Sequence, residues 1–257
     1  MTSTFPIIAI TMPVKNAEKT IELSILSFLS QKNMKNDAIL IISDAGSTDL
    51  SVQIAKKYVD HQKIFLLENQ IDSVSENRNY LIEYVIEEFK NCYLIGRLDA
   101  DDVFSSEYVL CEIEKIWENH HFDVLFLANH HMINLKLTDT TNIPQNHLLD
   151  DIYLYHRLKD MSLGDFSREL PSCNLLITPN IKLRYPLIES AEDHWLFVFI
   201  LMNKLNLKII ISDFFYCNYS IDGYETKMNK NKNKYLTSRL ALLDFYTLFL
   251  QSKGCKL

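Results

Sequence analysis

The sequence predicts an α/β protein with a mostly parallel central sheet flanked by helices and a helical extension at the C-terminus. Short apolar runs alternate with segments of helical period through the first 128 residues, and polar clusters fall at the ends of those runs. A strongly apolar helical stretch, preceded by a basic low-complexity run, closes the chain. At 257 residues there is room for one large domain, or for one domain with a modest appendage.

Ile7 to Thr11 reads as a buried strand that stops at Pro13, where proline removes a ladder donor. Ala17 to Gln31 places Ile21, Ile25, Leu26, Phe28 and Leu29 on one helical face. Strands are then expected at Ile39–Ile42, Ile64–Leu67, Tyr93–Arg97 and Val124–Ala128, with helices at Asp49–Val59, Ser75–Phe89 and Glu107–Trp117. In such sheets ligands collect beyond the carboxyl ends of the strands, where the polar clusters of this chain lie. Thr138 to Leu170 shows little period and is expected to be an irregular insertion or mobile wall over the site. Beyond it, Ser172–Ile177 and Lys208–Phe214 read as strands and Asp193–Leu205 as a helix. Lys227 to Lys234 alternates lysine with asparagine and reads as a solvated linker. Tyr235 to Gln251 reads as a helix with more Leu, Phe and Tyr than one buried stripe needs, which suggests a dimer or membrane surface.

Composition narrows the function. Apolar residues make up 47% and charged residues 23%, an ordinary globular balance, and the formal net charge of -7 argues against a nucleic-acid-binding surface. An anionic small ligand is still admissible, because a metal and backbone amides can hold it on an acidic protein. Five scattered cysteines, at 92, 111, 173, 217 and 255, suit buried thiols in a reducing compartment. Met1 to Pro6 lacks the features of a signal peptide, and no run reaches the roughly 18 apolar residues of a membrane span. A cytoplasmic location is expected, with attachment to the inner face of the cytoplasmic membrane left open.

The chemistry-bearing clusters follow the strands. Asp99, Asp101 and Asp102 stand directly after an apolar run, and three carboxylates this close call for a compensating cation. Hard oxygen ligands suit Mg²⁺ or Mn²⁺ bridging to phosphate; the competing reading is an acidic turn in solvent with Asp capping the next helix, and Asp102 is open as ligand, cap or supporting acceptor. Asp44, just before Gly46, is placed either to accept a base N–H or to close an Asx turn, while Ser47 or Asp49 can cap the next helix. Arg78, flanked by Asn77 and Asn79 within a helix, suits a pyrophosphate or a bidentate carboxylate pair, unless it is a plain surface ion pair. Glu192 and Asp193 open another helix. Asp193 is a candidate general base or a helix cap, and His194 a candidate metal ligand, acceptor contact or surface histidine.

In this order and at these separations, Pro13-Val14-Lys15-Asn16, Asp44-Ala45-Gly46-Ser47-Thr48-Asp49, Asn77-Arg78-Asn79, Leu98-Asp99-Ala100-Asp101-Asp102 and Glu192-Asp193 resemble the motifs of the family 2 inverting glycosyltransferases. The resemblance spans about residues 5 to 220 and is strongest up to Asp102. It implies a GT-A nucleotide-sugar-transferase fold over 1–220, with 1–128 as the nucleotide-sugar-binding half and 129–220 as the acceptor-binding half, and with 221–257 as basic linker and apolar helix. It also implies that Pro13, Lys15, Asp44, Arg78 and Asp99 hold the donor, that Asp101 and Asp102 bind Mn²⁺ or Mg²⁺, and that Asp193 is the general base. Glu192 and His194 would contact acceptor or phosphate. The implied reaction moves one sugar from a UDP-sugar to a glycan or lipid-linked glycan acceptor, of lipopolysaccharide, capsule or a similar polymer. Ala45 departs from the family's aspartate pair, and Tyr216 to Ser220 stands where many relatives carry an Arg or His near the phosphates.

Rival functions are a dinucleotide oxidoreductase, a sugar-phosphate nucleotidyltransferase and a non-catalytic nucleotide-sugar-binding protein. No G-x-G-x-x-G follows the first strand, which disfavours the oxidoreductase. Met12 to Asn16 offers only Lys15 where a nucleotidyltransferase would want a basic, glycine-rich loop.

Overall fold

A computed structural model describes residues 6–59, 62–164, 174–188, 190–221 and 224–255, with backbone alone for 224–232. In chain order the elements are β1 (Ile7–Val14), α1 (Ile21–Leu29), β2 (Asp37–Asp44), α2 (Ser51–Lys56), β3 (Ile64–Glu68), α3 (Val74–Glu88), β4 (Cys92–Arg97), β5 (Val103–Phe104) and α4 (Val109–His120). They continue with β6 (Val124–Ile133), β7 (Lys136–Asn142), a 3-10 turn (Asn146–Leu149), α5 (Asp151–Ser162), β8 (Leu175–Ile177), α6 (Glu192–Met202), β9 (Ile209–Ser220) and α7 (Tyr224–Ser252). Among the described residues nine strands form one sheet in the order β3-β2-β1-β4-β8-β6-β9-β5, with β7 paired to β6.

Strands β3, β2, β1 and β4 are mutually parallel; β8 runs antiparallel between β4 and β6, and β9 is parallel to β6. The expected mostly parallel α/β sheet is the one observed. Both of its faces are covered, which explains why the strand sequences are apolar runs instead of alternations. In β1, Ile7 and Ala9 join one core while Ile8, Ile10, Met12 and Val14 join the other, as the two-residue period of a strand requires. Helices α1 and α4 close one side through Ile21, Ile25, Val109 and Ile113. On the opposite side α3, α5, α6 and α7 contribute Leu81, Leu158, Phe197 and Tyr246.

Four expectations need correction. Strand β1 runs through Pro13 to Val14, in register with Ser43 and Asp44 of β2. Pairing with β4 ends at Thr11 and Arg97, so Pro13 withholds its missing N–H on a side with no strand partner. Residues 138–164 are not irregular: Asn134 and Leu135, at φ 48° and 60°, make a tight turn into β7, and α5 follows. Residues 165–170 of that expected insertion lie outside the described residues, as do 172 and 173 of the expected strand ending at Ile177. The run 227–234 is helical backbone within α7 and not a linker, because lysine is a good helix former and the helix propagates from an anchored apolar half. Finally, β9 extends to Ser220 and pairs with the unforeseen two-residue strand β5.

No helix among the described residues is long and apolar enough to cross a membrane. The described thiols Cys92, Cys111 and Cys217 are buried, and Cys255 is partly so.

Candidate active site

The carboxyl ends of β1, β2 and β4 open onto a cleft of about 550 Å³. Its wall includes Pro13, Lys15, Ala45, Asp72, Arg78, Asp99, Asp101 and Ser220. The loops after β1 and β2 form one side and are stapled together. Asn16, in the left-handed region at φ 55°, donates its N–H to Ser47 Oγ at 2.9 Å and accepts from Thr48 N at 2.8 Å. Ala17 N donates to Ser51 Oγ and Glu18 N to Asp49 Oδ2. The polar residues of these loops therefore tie two strand ends to each other.

Asp44 divides its oxygens. Oδ2 accepts from Gly46 N at 3.0 Å and Ser47 N at 2.9 Å, the Asx turn that its sequence context allows. Its buried Oδ1 meets no hydrogen-bond partner among the described residues. Gly46 is required in the turn: its φ is 78°, and a Cβ there would lie 2.9 Å from Gln70 Oε1. Lys15 pairs with Asp72 at the cleft mouth.

Two arginines organise the floor. Arg78 Nη1 bonds Glu192 Oε1, and Nη2 lies 3.8 Å from Asp99 Oδ2. Arg97 Nε is 3.0 Å from Asp99 Oδ1. Burial and the neighbouring Arg97 charge pull the Arg78 guanidinium down, but Asp99, Glu192 and Tyr185 outweigh them and hold it above its ordinary value. It is therefore a fixed cation facing the cleft.

Helix-interior asparagines fix Arg78 in place. Asn77 Nδ2 donates to Ser43 O at 3.2 Å and its Oδ1 accepts from Ser43 Oγ, locking α3 to the end of β2. Asn79 takes both polar atoms of the Tyr185 backbone, donating to its carbonyl at 2.8 Å and accepting from its N–H at 2.9 Å.

Glu192 and Asp193 form the first turn of α6, after Ala191 at φ 59°. Burial and the Asp193 charge raise the Glu192 carboxyl above the ordinary range, against the opposing Arg78 and Arg97. For Asp193 burial acts upward as well, but His194, Arg78 and Arg97 outweigh it and hold the carboxyl below its usual value. His194 is enclosed beside Arg239, and burial lowers its pKa despite Asp193. Neither Asp193 nor His194 lines the cleft; both are partly buried at the start of α6.

Pro13, Lys15, Arg78, Asp99 and Asp101 thus share one cleft. Asp44 stands behind its wall, and Glu192 reaches it through Arg78. Asp102 is fully buried, and its Oδ1 accepts from Ser220 N at 2.7 Å, pinning the end of β9 to the acidic loop. That geometry suits loop support better than the metal ligation expected from sequence. Among the described residues no three His, Cys, Asp or Glu side chains gather into a self-sufficient metal site. The pair facing the cleft, Asp99 and Asp101, does fit a cation that takes its remaining ligands from phosphate and water, the usual arrangement for Mg²⁺. Sequence reasoning gave no role to Arg97, Tyr185 or Ser220. The asparagines beside Arg78 were the available signal, since helix-interior asparagine is unfavourable unless its side chain is engaged.

Comparison with known proteins places these features in context. Residues 9–160 match the family model for glycosyl transferase family 2. An uncharacterized glycosyltransferase of Haemophilus influenzae is 30% identical over 183 residues, covering 69% of this chain and 68% of that protein. The crystal structure of residues 1–349 of S. aureus TarS in complex with UDP superposes with a TM-score of 0.63 at 19% identity, covering 84% of this chain and 61% of that one. The mannosyltransferase PcManGT from Pyrobaculum calidifontis, in complex with GDP-Man and Mn²⁺, gives a TM-score of 0.56 at 12% identity, over 85% of this chain and 58% of that one. Both solved proteins are thus considerably longer than the part this chain matches, and the likeness to them is one of fold.

Proposed function

The chain belongs to glycosyl transferase family 2, and from that premise we propose that it moves one sugar from a UDP-sugar to a hydroxyl of a surface-glycan acceptor, such as a lipopolysaccharide or capsule precursor. The observation that carries the reading is Arg78. It lines the donor cleft while pairing with Glu192, so the cleft and the Glu192-Asp193 pair form one electrostatic unit.

The diphosphate of the donor lies over Arg78, with Asp99 toward the ribose or sugar and the unpartnered Asp44 Oδ1 toward the base. Uridine is favoured because TarS, which shares the fold, has been solved with UDP and with UDP-GlcNAc. Asp101, supported by Asp99, would hold Mn²⁺ or Mg²⁺, which supplies charge neutralisation on the departing diphosphate. Asp193 accepts the proton of the acceptor hydroxyl as its oxygen bonds to the anomeric carbon. The bond from that carbon to the diphosphate oxygen breaks, and the nucleoside diphosphate leaves with the electron pair. Attack from the opposite face inverts the anomeric centre without a covalent intermediate. A carboxylate held below its ordinary pKa is ionised in the neutral range and is a weak base, which takes the proton as the attacking hydroxyl becomes more acidic in the transition state. Leu240, Phe245 and Leu248, exposed on α7, are the apolar surface on which a peripheral membrane contact or a second copy of the chain is expected.

A panel of UDP- and GDP-sugars assayed with Mn²⁺ for donor binding and nucleotide release tests this reading. Metal-dependent release is expected with at least one UDP-sugar, and folded protein that responds to no donor overturns it. Asp193→Asn is expected to bind donor normally while transfer falls roughly 10²–10⁴-fold, the usual contribution of a general base.

A further inference from the structure

Arg78 and Arg97 meet on a single aromatic ring. Their guanidinium carbons lie 5.3 Å and 5.7 Å from the ring centroid of Tyr185, and Arg97 Nη1 also donates to the Tyr185 hydroxyl at 2.9 Å. Tyr185 is buried, 6% exposed, within the segment 178–188, which has no regular secondary structure. Irregular backbone is a poor support for charged groups unless something fixes it. Here α3 does so, through the two hydrogen bonds between the Asn79 side chain and the Tyr185 backbone and through Arg184 Nε, which donates to Glu83 Oε1 at 2.7 Å. Pro186 restricts Tyr185 further to extended backbone.

We infer that Tyr185 is a positioning residue of the transfer reaction: its ring and hydroxyl hold Arg78 and Arg97 in the geometry that presents Arg78 to the donor diphosphate and Arg97 to Asp99. Asp99 is one partner the two like charges share, and the Tyr185 ring face with its hydroxyl is a second: it meets both guanidinium groups and accepts from Arg97. Tyr185 touches neither cleft nor substrate itself and acts through the arginines. The inference rests on the cleft being a donor site.

The test compares wild type, Tyr185→Phe and Tyr185→Leu by steady-state kinetics with the donor that serves the wild type, with a thermal melt for each protein. Leucine removes both the ring and the hydroxyl, so the donor KM is expected to rise and kcat to fall, each on the order of tenfold or more. Phenylalanine keeps the ring and loses only the bond from Arg97, so it is expected to recover most of both parameters. A purely structural role would instead lower the melting temperature and leave the kinetics of the folded fraction unchanged. An active wild type whose two variants keep kcat and donor KM within about twofold overturns the inference alone. A wild type inactive with every donor removes the transferase reading and the inference with it. Should Tyr185→Leu not fold, Tyr185→Met takes its place in the same comparison, with the same rise in donor KM and fall in kcat expected and the same twofold limit overturning the inference.

Discussion

Glu192 and Asp193 are adjacent in sequence yet move in opposite directions, one carboxyl raised and the other lowered. Glu192 is engaged with Arg78, whereas Asp193 gains from the charges of His194, Arg78 and Arg97 without a direct ion pair to the arginines. If Asp193 is the base, transfer requires its charged form, so activity is lost only as pH falls through its lowered pKa. The acid limb of kcat is therefore expected below the ordinary aspartate value near about 4. Replacing the charge in Arg78→Met should move that limb upward; a wild-type limb already above pH ~6 would exclude Asp193 from the role. The acidic loop offers a second contrast. Asp101→Asn is expected to abolish Mn²⁺-dependent donor binding, whereas Asp102→Asn should leave that binding intact, because Asp102 serves Ser220 N at the end of β9. Calorimetric titration of UDP with and without Mn²⁺ distinguishes the two, and metal-dependent affinity unchanged in Asp101→Asn would remove it as a ligand. These carboxylates were legible in sequence because they lie in short motifs at strand ends. Tyr185 was not, since its partners Asn79 and Arg97 are 106 and 88 residues away and nothing local marks it.

At the scale of elements, legibility followed the strength of the period. The apolar runs of β1, β2, β4 and β6 announced themselves because both faces are buried. Helix α5 went unread although its signals are present: Asp150 caps Ile152 N and Tyr153 N, and Leu154, Leu158 and Met161 recur at helical spacing. Polar β7, exposed along most of its length, had no such pattern, and only its turn and its pairing with β6 define it. Helix α5 docks on α7 and on the turn that follows α6 through Asp151, which accepts from Lys204 Nζ at 2.7 Å and from Tyr246 Oη at 2.9 Å. Burial pushes the Asp151 carboxyl up, but those two bonds and the charges of Lys204 and Lys253 outweigh it and leave it lowered. A depressed pKa means stability that is present above the unfolded carboxylate value and is lost as pH falls through the folded one. Asp151→Asn should therefore cost about 1 kcal/mol at neutral pH, a modest figure because both side chains are partly solvated, and progressively less below pH ~4. Chemical denaturation at a series of pH values measures this, and a cost independent of pH would refute the coupling.

Across the whole molecule, the two functional halves expected from sequence share one sheet. Strand β8, from the 129–220 half, lies between β4 and β6, and β9 pairs with β5 and sends Ser220 into the cleft wall. Residues assigned to different halves thus complete one sheet and one cleft, an interleaving that no local window of sequence displays. The same holds for the C-terminal extension. Leu242, Tyr246 and Leu250 are fully buried in the core that also contains Leu154, Leu158 and Phe197, while Trp195 Nε1 donates to Ser238 Oγ, which in turn donates to Ser190 O just ahead of Glu192. Helix α7 therefore covers the core and braces the segment that carries the carboxylate pair. Each buried leucine or tyrosine contributes roughly 1.5–3 kcal/mol relative to exposure, so removing three of them subtracts an amount comparable to the whole stability of an ordinary domain. A chain ended at Ser220 is expected to be aggregated or to lack a cooperative thermal transition, whereas the full chain melts in a single step. If residues 1–220 instead melt cooperatively and retain donor binding, α7 is an appendage and its burial makes no essential contribution. Between these limits, a truncated protein that folds and binds UDP but transfers no sugar would assign α7 specifically to the bracing of Glu192 and Asp193 through Ser238 and Ser190.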